Sequence, residues 1–185
     1  ALASRPYVAK LTSLTQELST HVEKEKLPAF MKESVGGKTL LIVLAPDKGL
    51  CGSLITNLIR EFLQLSAGSE KTKYIIIGKK LEGRAIKLSN EIIATFPFGT
   101  TLPKFDAVFP IIELINKYYL SGEVTSVKVL YTDFTSIFSQ SPKTATLLPI
   151  VMHQEEEKKD EIKVRVFEPA IDEMLPELLK HYIEM

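Results

Sequence analysis

The sequence predicts an α/β fold, a doubly wound sheet flanked by an amphipathic helix at each end. Three observations carry this expectation. Short apolar runs alternate with stretches of helical periodicity through the middle of the chain. The runs Thr39–Ala45 and Tyr74–Ile77 are apolar almost throughout, as strands covered on both faces of a parallel sheet are. Each run leads through a turn into a helical pattern, the opening of a βαβ unit whose crossover is right-handed.

Composition sets the bounds. A chain of 185 residues, 45% hydrophobic and 25% charged, has the proportions of one globular domain with a sizeable core. Its 23 basic and 23 acidic residues cancel, which argues against a surface built to neutralise nucleic-acid phosphates. Cys51 is the one cysteine, so no internal disulfide can form and no Cys/His zinc cluster is present. No apolar run approaches the ~20 residues needed to span a bilayer, and the first residues are not a signal sequence, so the chain reads as neither integral nor secreted. It opens on Ala1 without Met in a helical pattern and stops at Met185 within another, which suggests a piece of a longer protein.

The elements follow in order. Leu11, Leu14, Leu18 and Val22 recur at helical spacing among polar residues, giving an amphipathic helix interrupted by Pro28 and then Gly36-Gly37. The strand Thr39–Ala45 runs into the turn Pro46-Asp47-Lys48-Gly49, and Leu54, Ile55, Leu58, Ile59, Phe62 and Leu63 form a broad helical face. A strand at Tyr74–Gly78, a helix at Leu81–Leu88 and a strand at Ile92–Phe96 continue the alternation, before a helix marked by Val108, Ile111, Ile112, Ile115, Tyr118 and Tyr119. Val124–Phe138, Thr144–Met152 and Ile162–Phe167 read as strands, two of them antiparallel at an edge. The charged stretch His153–Glu161 reads as a solvated hairpin tip. Ile171, Met174, Leu175, Leu178, Leu179, Tyr182 and Ile183 mark the last helix, with Pro176 implying a kink or a late start. The two terminal helices could pair through their apolar seams.

Two sequences suggest nucleotide binding. Gly37-Lys38-Thr39 has the end of a phosphate-binding loop, but Lys32 stands where a glycine is needed and the triplet precedes a strand instead of opening a helix. Asp47–Ser53 lies between a strand and a helix, at the face where ligands of open α/β sheets bind, and the helix N-terminus offers free N–H groups to an anion. It lacks G-x-G-x-x-G, and the second strand ends in Gly78-Lys79-Lys80 without the acidic residue a dinucleotide site requires. Cys51 near a helix start could gain thiolate character, yet His21, His153 and His181 are all far from it in sequence. No residues stand at metal-ligand spacing.

The stretch Leu41–Asn57 resembles the signature of the F-type ATP synthase gamma subunit. Asp47, Lys48, Gly49, Leu50, Cys51, Gly52 and Asn57 match it, whereas Ser53 replaces a usual glycine and Ile55 a common asparagine. Further agreement lies at Gly83-Arg84, Tyr131–Phe134, Gln140-Ser141-Pro142, Leu147-Leu148-Pro149, Phe167-Glu168-Pro169 and Tyr182-Ile183-Glu184. With Cys51 alone the chain lacks the regulatory cysteine pair of chloroplast gamma subunits, so the likeness is to the bacterial form. The resemblance implies coiled-coil helix stubs at 1–35 and 169–185 around a Rossmann-like domain at 36–168. It implies a non-catalytic central-stalk rotor, peripheral to the cytoplasmic face of the cell membrane. Its partners would be the alpha and beta subunits, the epsilon subunit and the membrane rotor ring, with no cofactor, metal, nucleic acid or membrane insertion. Residues 47–52 and Asn57 would meet an acidic loop of the beta subunit, with Lys48 as the cation facing its carboxylates.

Three alternatives stand beside this. The turn could be a plain strand-to-helix connection, with Asp47 bonding local backbone and Cys51 buried as a small hydrophobe. Gly49–Ser53 could bind a phosphate compound or nucleotide, or Cys51 could act as an enzyme nucleophile.

Overall fold

A computed structural model describes residues 29–31, 36–49, 52–67, 71–88, 91–99, 105–136 and 139–150. The predicted terminal helices, the charged stretch 153–161 and the strand at 162–167 lie outside them. The chain divides into two units, one of Ala1–Lys32 with Ile150–Met185 and one of Glu33–Pro149. In the first, a 3-10 turn spans Ala29–Met31, and the Phe30 carbonyl accepts a hydrogen bond from the Ile150 N–H at 2.9 Å.

The second unit is built on a five-stranded sheet. Its strands are β1 (Lys38–Leu44), β2 (Thr72–Ile77), β3 (Ile92–Phe96), β4 (Val124–Ser136) and β5 (Ser139–Leu148), in the spatial order β3-β2-β1-β4-β5. β1 pairs in parallel with β2 and β4, and β2 with β3, while β5 is antiparallel to β4 at the edge. Three helices connect the parallel strands: α1 (Ser53–Ser66), α2 (Lys79–Leu88) and α3 (Phe109–Leu120).

The apolar runs are strands because they are covered on both sides. Leu40, Leu41, Ile42 and Val43 of β1 are all buried, as are Tyr74, Ile75, Ile76 and Ile77 of β2. Strand alternation sends Leu41, Val43, Tyr74 and Ile76 to one face. There they form one cluster with Leu58, Ile59 and Phe62 of α1, Leu81 and Ala85 of α2, and Leu130 of β4. Phe62 meets Tyr74 edge-to-face, ring centroids 5.4 Å apart. Each large side chain in this cluster contributes on the order of 1.5–3 kcal/mol by leaving water. α3 packs against β4 and buries Ile112, Ile115 and Tyr119 at helical spacing, with Pro110 in its first turn, where a missing N–H costs nothing.

The final hairpin departs from the sequence expectation. β5 begins at Ser139, before the predicted Thr144, and stops at Leu148 instead of Met152. Pro142 pairs with Thr132 in an edge strand, where a missing N–H can face away from the ladder. The strand ends before Pro149, which has no N–H to donate.

At the edge where the parallel strands begin, four charged residues are linked. The Lys73 ammonium lies 2.9 Å from Glu123 and 3.2 Å from Glu91, and Lys38 lies 3.3 Å from Glu91. The Lys73 ammonium also sits 5.5 Å from the centre of the Tyr118 ring. Glu123 chiefly, and Glu91, hold the Lys73 pKa above its ordinary value. Lys38 of the phosphate-loop-like triplet therefore belongs to this network and opens β1, so it does not form a phosphate cradle.

At the opposite edge, Gly78 has φ +108°, and a Cβ there would stand 1.8 Å from the Ala45 carbonyl oxygen. Only glycine allows the end of β2 to approach the end of β1 so closely. Gly78→Ala is expected to lower stability by on the order of 3–5 kcal/mol, from strain and overpacking together, read as a fall in the urea midpoint. An unchanged midpoint would mean that β1 can move aside.

Candidate functional site

The C-terminal ends of β1, β2 and β3 meet on one edge. The backbone leaves β1 through Ala45, whose N–H donates to the Ile77 carbonyl at 2.7 Å, and the Gly78 N–H donates to the Phe96 carbonyl at 2.8 Å. Parallel pairing thus brings Pro46–Gly49, Gly78–Lys80 and Pro97–Gly99 side by side, although they are far apart in sequence.

Asp47 links the three. Its Oδ1 accepts hydrogen bonds from the backbone N–H of Lys79 at 2.8 Å and of Phe98 at 3.1 Å, and its Oδ2 from the N–H of Gly99 at 2.7 Å. The Lys79 bond caps the start of α2, where a free N–H and the positive end of the helix dipole both favour a carboxylate. The Lys80 N–H donates to the Pro46 carbonyl at 3.3 Å, so a second orphan donor of α2 is also met from the exit of β1. The Lys79 amide above all, with those of Gly99 and Phe98, holds the Asp47 carboxyl below its usual pKa.

The plain-turn alternative placed the bonds of Asp47 in its own neighbourhood. They instead run to backbone 32, 51 and 52 residues away. Asp47 is half-buried and turned into the protein, whereas Lys48, Gly49 and Gly52 are exposed. Gly52, at φ 57° and ψ −135°, precedes α1 and provides no side-chain cap, and Asn57 is half-buried within that helix. Leu50, Cys51 and the three histidines lie outside the described residues. Among the described residues, no three potential metal ligands are grouped, and no helix is long and apolar enough to cross a membrane.

Sequence reasoning missed Lys79 and Lys80. In the sequence, Gly78-Lys79-Lys80 is notable only for lacking an acidic residue, yet it is one wall of this edge. Its signal is position: like Asp47-Lys48-Gly49, it directly follows an apolar strand of a parallel sheet.

A family model described as ATP synthase matches residues 1–185. The ATP synthase gamma chain of Nitratidesulfovibrio vulgaris is 32% identical over 193 residues, covering 98% of this chain and 64% of that protein. That of Legionella pneumophila is 25% identical over 188 residues, covering 99% and 65%. The chain thus spans about two-thirds of the length of these curated relatives, at 64–65%. Among solved structures, the fold is similar to a chain of the central stalk/c-ring of the Tetrahymena thermophila mitochondrial ATP synthase. The TM-score is 0.61 at 17% identity, covering 98% of this chain and 86% of that one. A chain in the rotor of the Euglena gracilis mitochondrial ATP synthase gives a TM-score of 0.56 at 16% identity, covering 97% and 74%.

The Asp47 bonds have a pH signature. Because the folded-state pKa lies below the ordinary 3.8, their contribution is complete above that value and is lost as pH falls through the folded-state pKa. Asp47→Asn replaces one acceptor oxygen with an amide donor and is expected to cost about 1–3 kcal/mol at neutral pH. In urea unfolding, the gap to the unsubstituted protein should narrow as the pH falls below 3.8. A gap independent of pH would contradict an ionised clamp.

Proposed function

The chain belongs to the ATP synthase gamma-chain family, and from that premise we propose that it acts in the central stalk of an F-type ATP synthase. There it carries torque between the membrane ion-translocating ring and the catalytic alpha/beta hexamer and contributes no catalytic group of its own. The observation that carries this reading is the family match, which runs through residues 1–185. In this reading, residues 1–35 and 169–185 are stubs of an antiparallel coiled coil, and 36–168 form the globular part. The epsilon subunit and the rotor ring bind the latter, at the cytoplasmic face of the membrane.

The physics of the described sheet suits the role. A lever must not yield when pushed, and the central strands are buried on both faces and close-packed, so a force on one turn is passed on instead of absorbed locally. The exposed turn at Lys48 and Gly49 is backed by Asp47, whose three bonds join it to the start of α2 and to the segment after β3. Lys48 then presents a cation to the acidic loop of the beta subunit, with Gly49, Leu50, Cys51, Gly52 and Asn57 shaping or flanking that contact. A phosphate site at Gly49–Ser53 and a Cys51 nucleophile are not favoured by this family membership.

Isothermal titration of the full-length protein with the epsilon subunit of the same organism tests the reading, with a nucleotide titration alongside. Epsilon binding without nucleotide binding is expected, and the reverse would return Gly49–Ser53 to the phosphate reading. In the assembled complex, Lys48→Glu should impair coupling of hydrolysis to ion pumping. It should change the stability of the subunit by no more than about 0.5 kcal/mol, because it reverses a charge on an exposed turn. Loss of the fold on that change would make Lys48 structural.

A further inference from the structure

Lys73 is the second residue of β2 and stands opposite Leu40 of β1, which in turn stands opposite Val127 of β4. Its side chain is only 14% exposed. A lysine is rarely covered so far unless its charge is met, and here one ammonium meets two carboxylates. Glu91, 3.2 Å away, comes just before β3, and Glu123, 2.9 Å away, comes just before β4. β4 is not a neighbour of β2, because β1 lies between them. Lys73 therefore reaches across β1, whose first residue, Lys38, bonds Glu91 through its ammonium at 3.3 Å and donates its N–H to the Glu123 carbonyl at 3.3 Å. The starts of all four parallel strands are joined at this point.

The same ammonium reaches α3. Tyr118, in the last turn of that helix, has its ring centre 5.5 Å from the Lys73 Nζ and 5.8 Å from the Lys117 Nζ. Cations suit this end of a helix, where the dipole is negative. α3 leads through Ser121 and Gly122 to Glu123, so Lys73 contacts both the last turn of the helix and the turn that follows it. Neutralising a covered charge does not account for this arrangement. A hydrophobic side chain of similar length would bury here without desolvating an ammonium, and replacements of that kind are often neutral or stabilising. It would not bind two turns and an aromatic ring in fixed directions.

We propose that Lys73 is a latch that makes α3, the α3–β4 turn and the starts of the parallel strands move as one body, and is thereby a positioning residue for torque transmission. Coupling between distant points is carried by contiguous packed and bonded groups with rigid elements between them, and this network supplies such a junction at the edge opposite Asp47. The mechanical consequence rests on the central-stalk reading, whereas the latch itself follows from the contacts.

The test uses the full-length protein and Lys73→Met, which keeps most of the side-chain length and removes the charge. The amides of Lys38, Ser121 and Gly122 are hydrogen-bonded at this edge, and those of Ala45 and Gly78 at the opposite one. In the free subunit, hydrogen exchange at the first three should rise about fivefold while the last two stay level. Glu123→Gln should loosen the same three amides, and adding it to Lys73→Met should change little, because both remove one interaction. Lys73→Arg should restore slow exchange. In the assembled complex, Lys73→Met should lower the number of ions pumped per ATP hydrolysed, and Lys73→Arg should recover it. Unchanged exchange, or an equal rise at all five amides, would overturn the latch. A local rise with an unchanged pumping ratio would overturn its part in torque transmission. If the unsubstituted protein fails to join the catalytic subunits, the central-stalk reading and the torque role fail together, and the exchange data alone decide the latch.

Discussion

Everything described in the sheet depends on β1 being satisfied on all sides. It is hydrogen-bonded to β2 along one edge and to β4 along the other, and Leu40 to Val43 are buried on both faces. An extended segment can be placed so only if helices cover both faces, because apolar side chains project alternately up and down. Once β1 is central, its end is fixed relative to the ends of β2 and β3. The close passage of Gly78 past Ala45 and the reach of Asp47 to three separate amides follow from that placement.

The two edges of the sheet use charge differently. Where the strands begin, Lys38, Lys73, Glu91 and Glu123 pair side chain with side chain, and because both carboxylates are open to solvent these pairs are screened by salt and individually weak. Where the strands end, the Asp47 carboxylate binds backbone donors already held by the sheet and by α2, so fewer torsions are frozen per bond. The first arrangement neutralises its charges internally. The second consumes one anion on uncharged amides, and Lys48, Lys79 and Lys80 are exposed on the same edge.

Much of this was legible along the chain. The strands over 39–45, 74–77 and 92–96 and the helices after them are legible because apolar periodicity is local and unbroken there. The signature around Asp47 and Lys48 was legible as a family resemblance, and family membership follows from the comparisons. The start of β5 was not, because Pro142 is a strand breaker everywhere except at an edge, and a strand becomes an edge only once its neighbours are known.

The order of elements, the parallel character of the central strands and the turn at Pro46–Gly49 were determined by the sequence itself, through period, turn chemistry and composition. What only the tertiary structure decided is what that turn is made of. Lys79, Lys80, Phe98 and Gly99 are 32 to 52 residues from Asp47 and share no motif with it, and parallel pairing alone brings them to one edge. The inward role of Asp47 is set by contacts across strands. A linear pattern does not carry it.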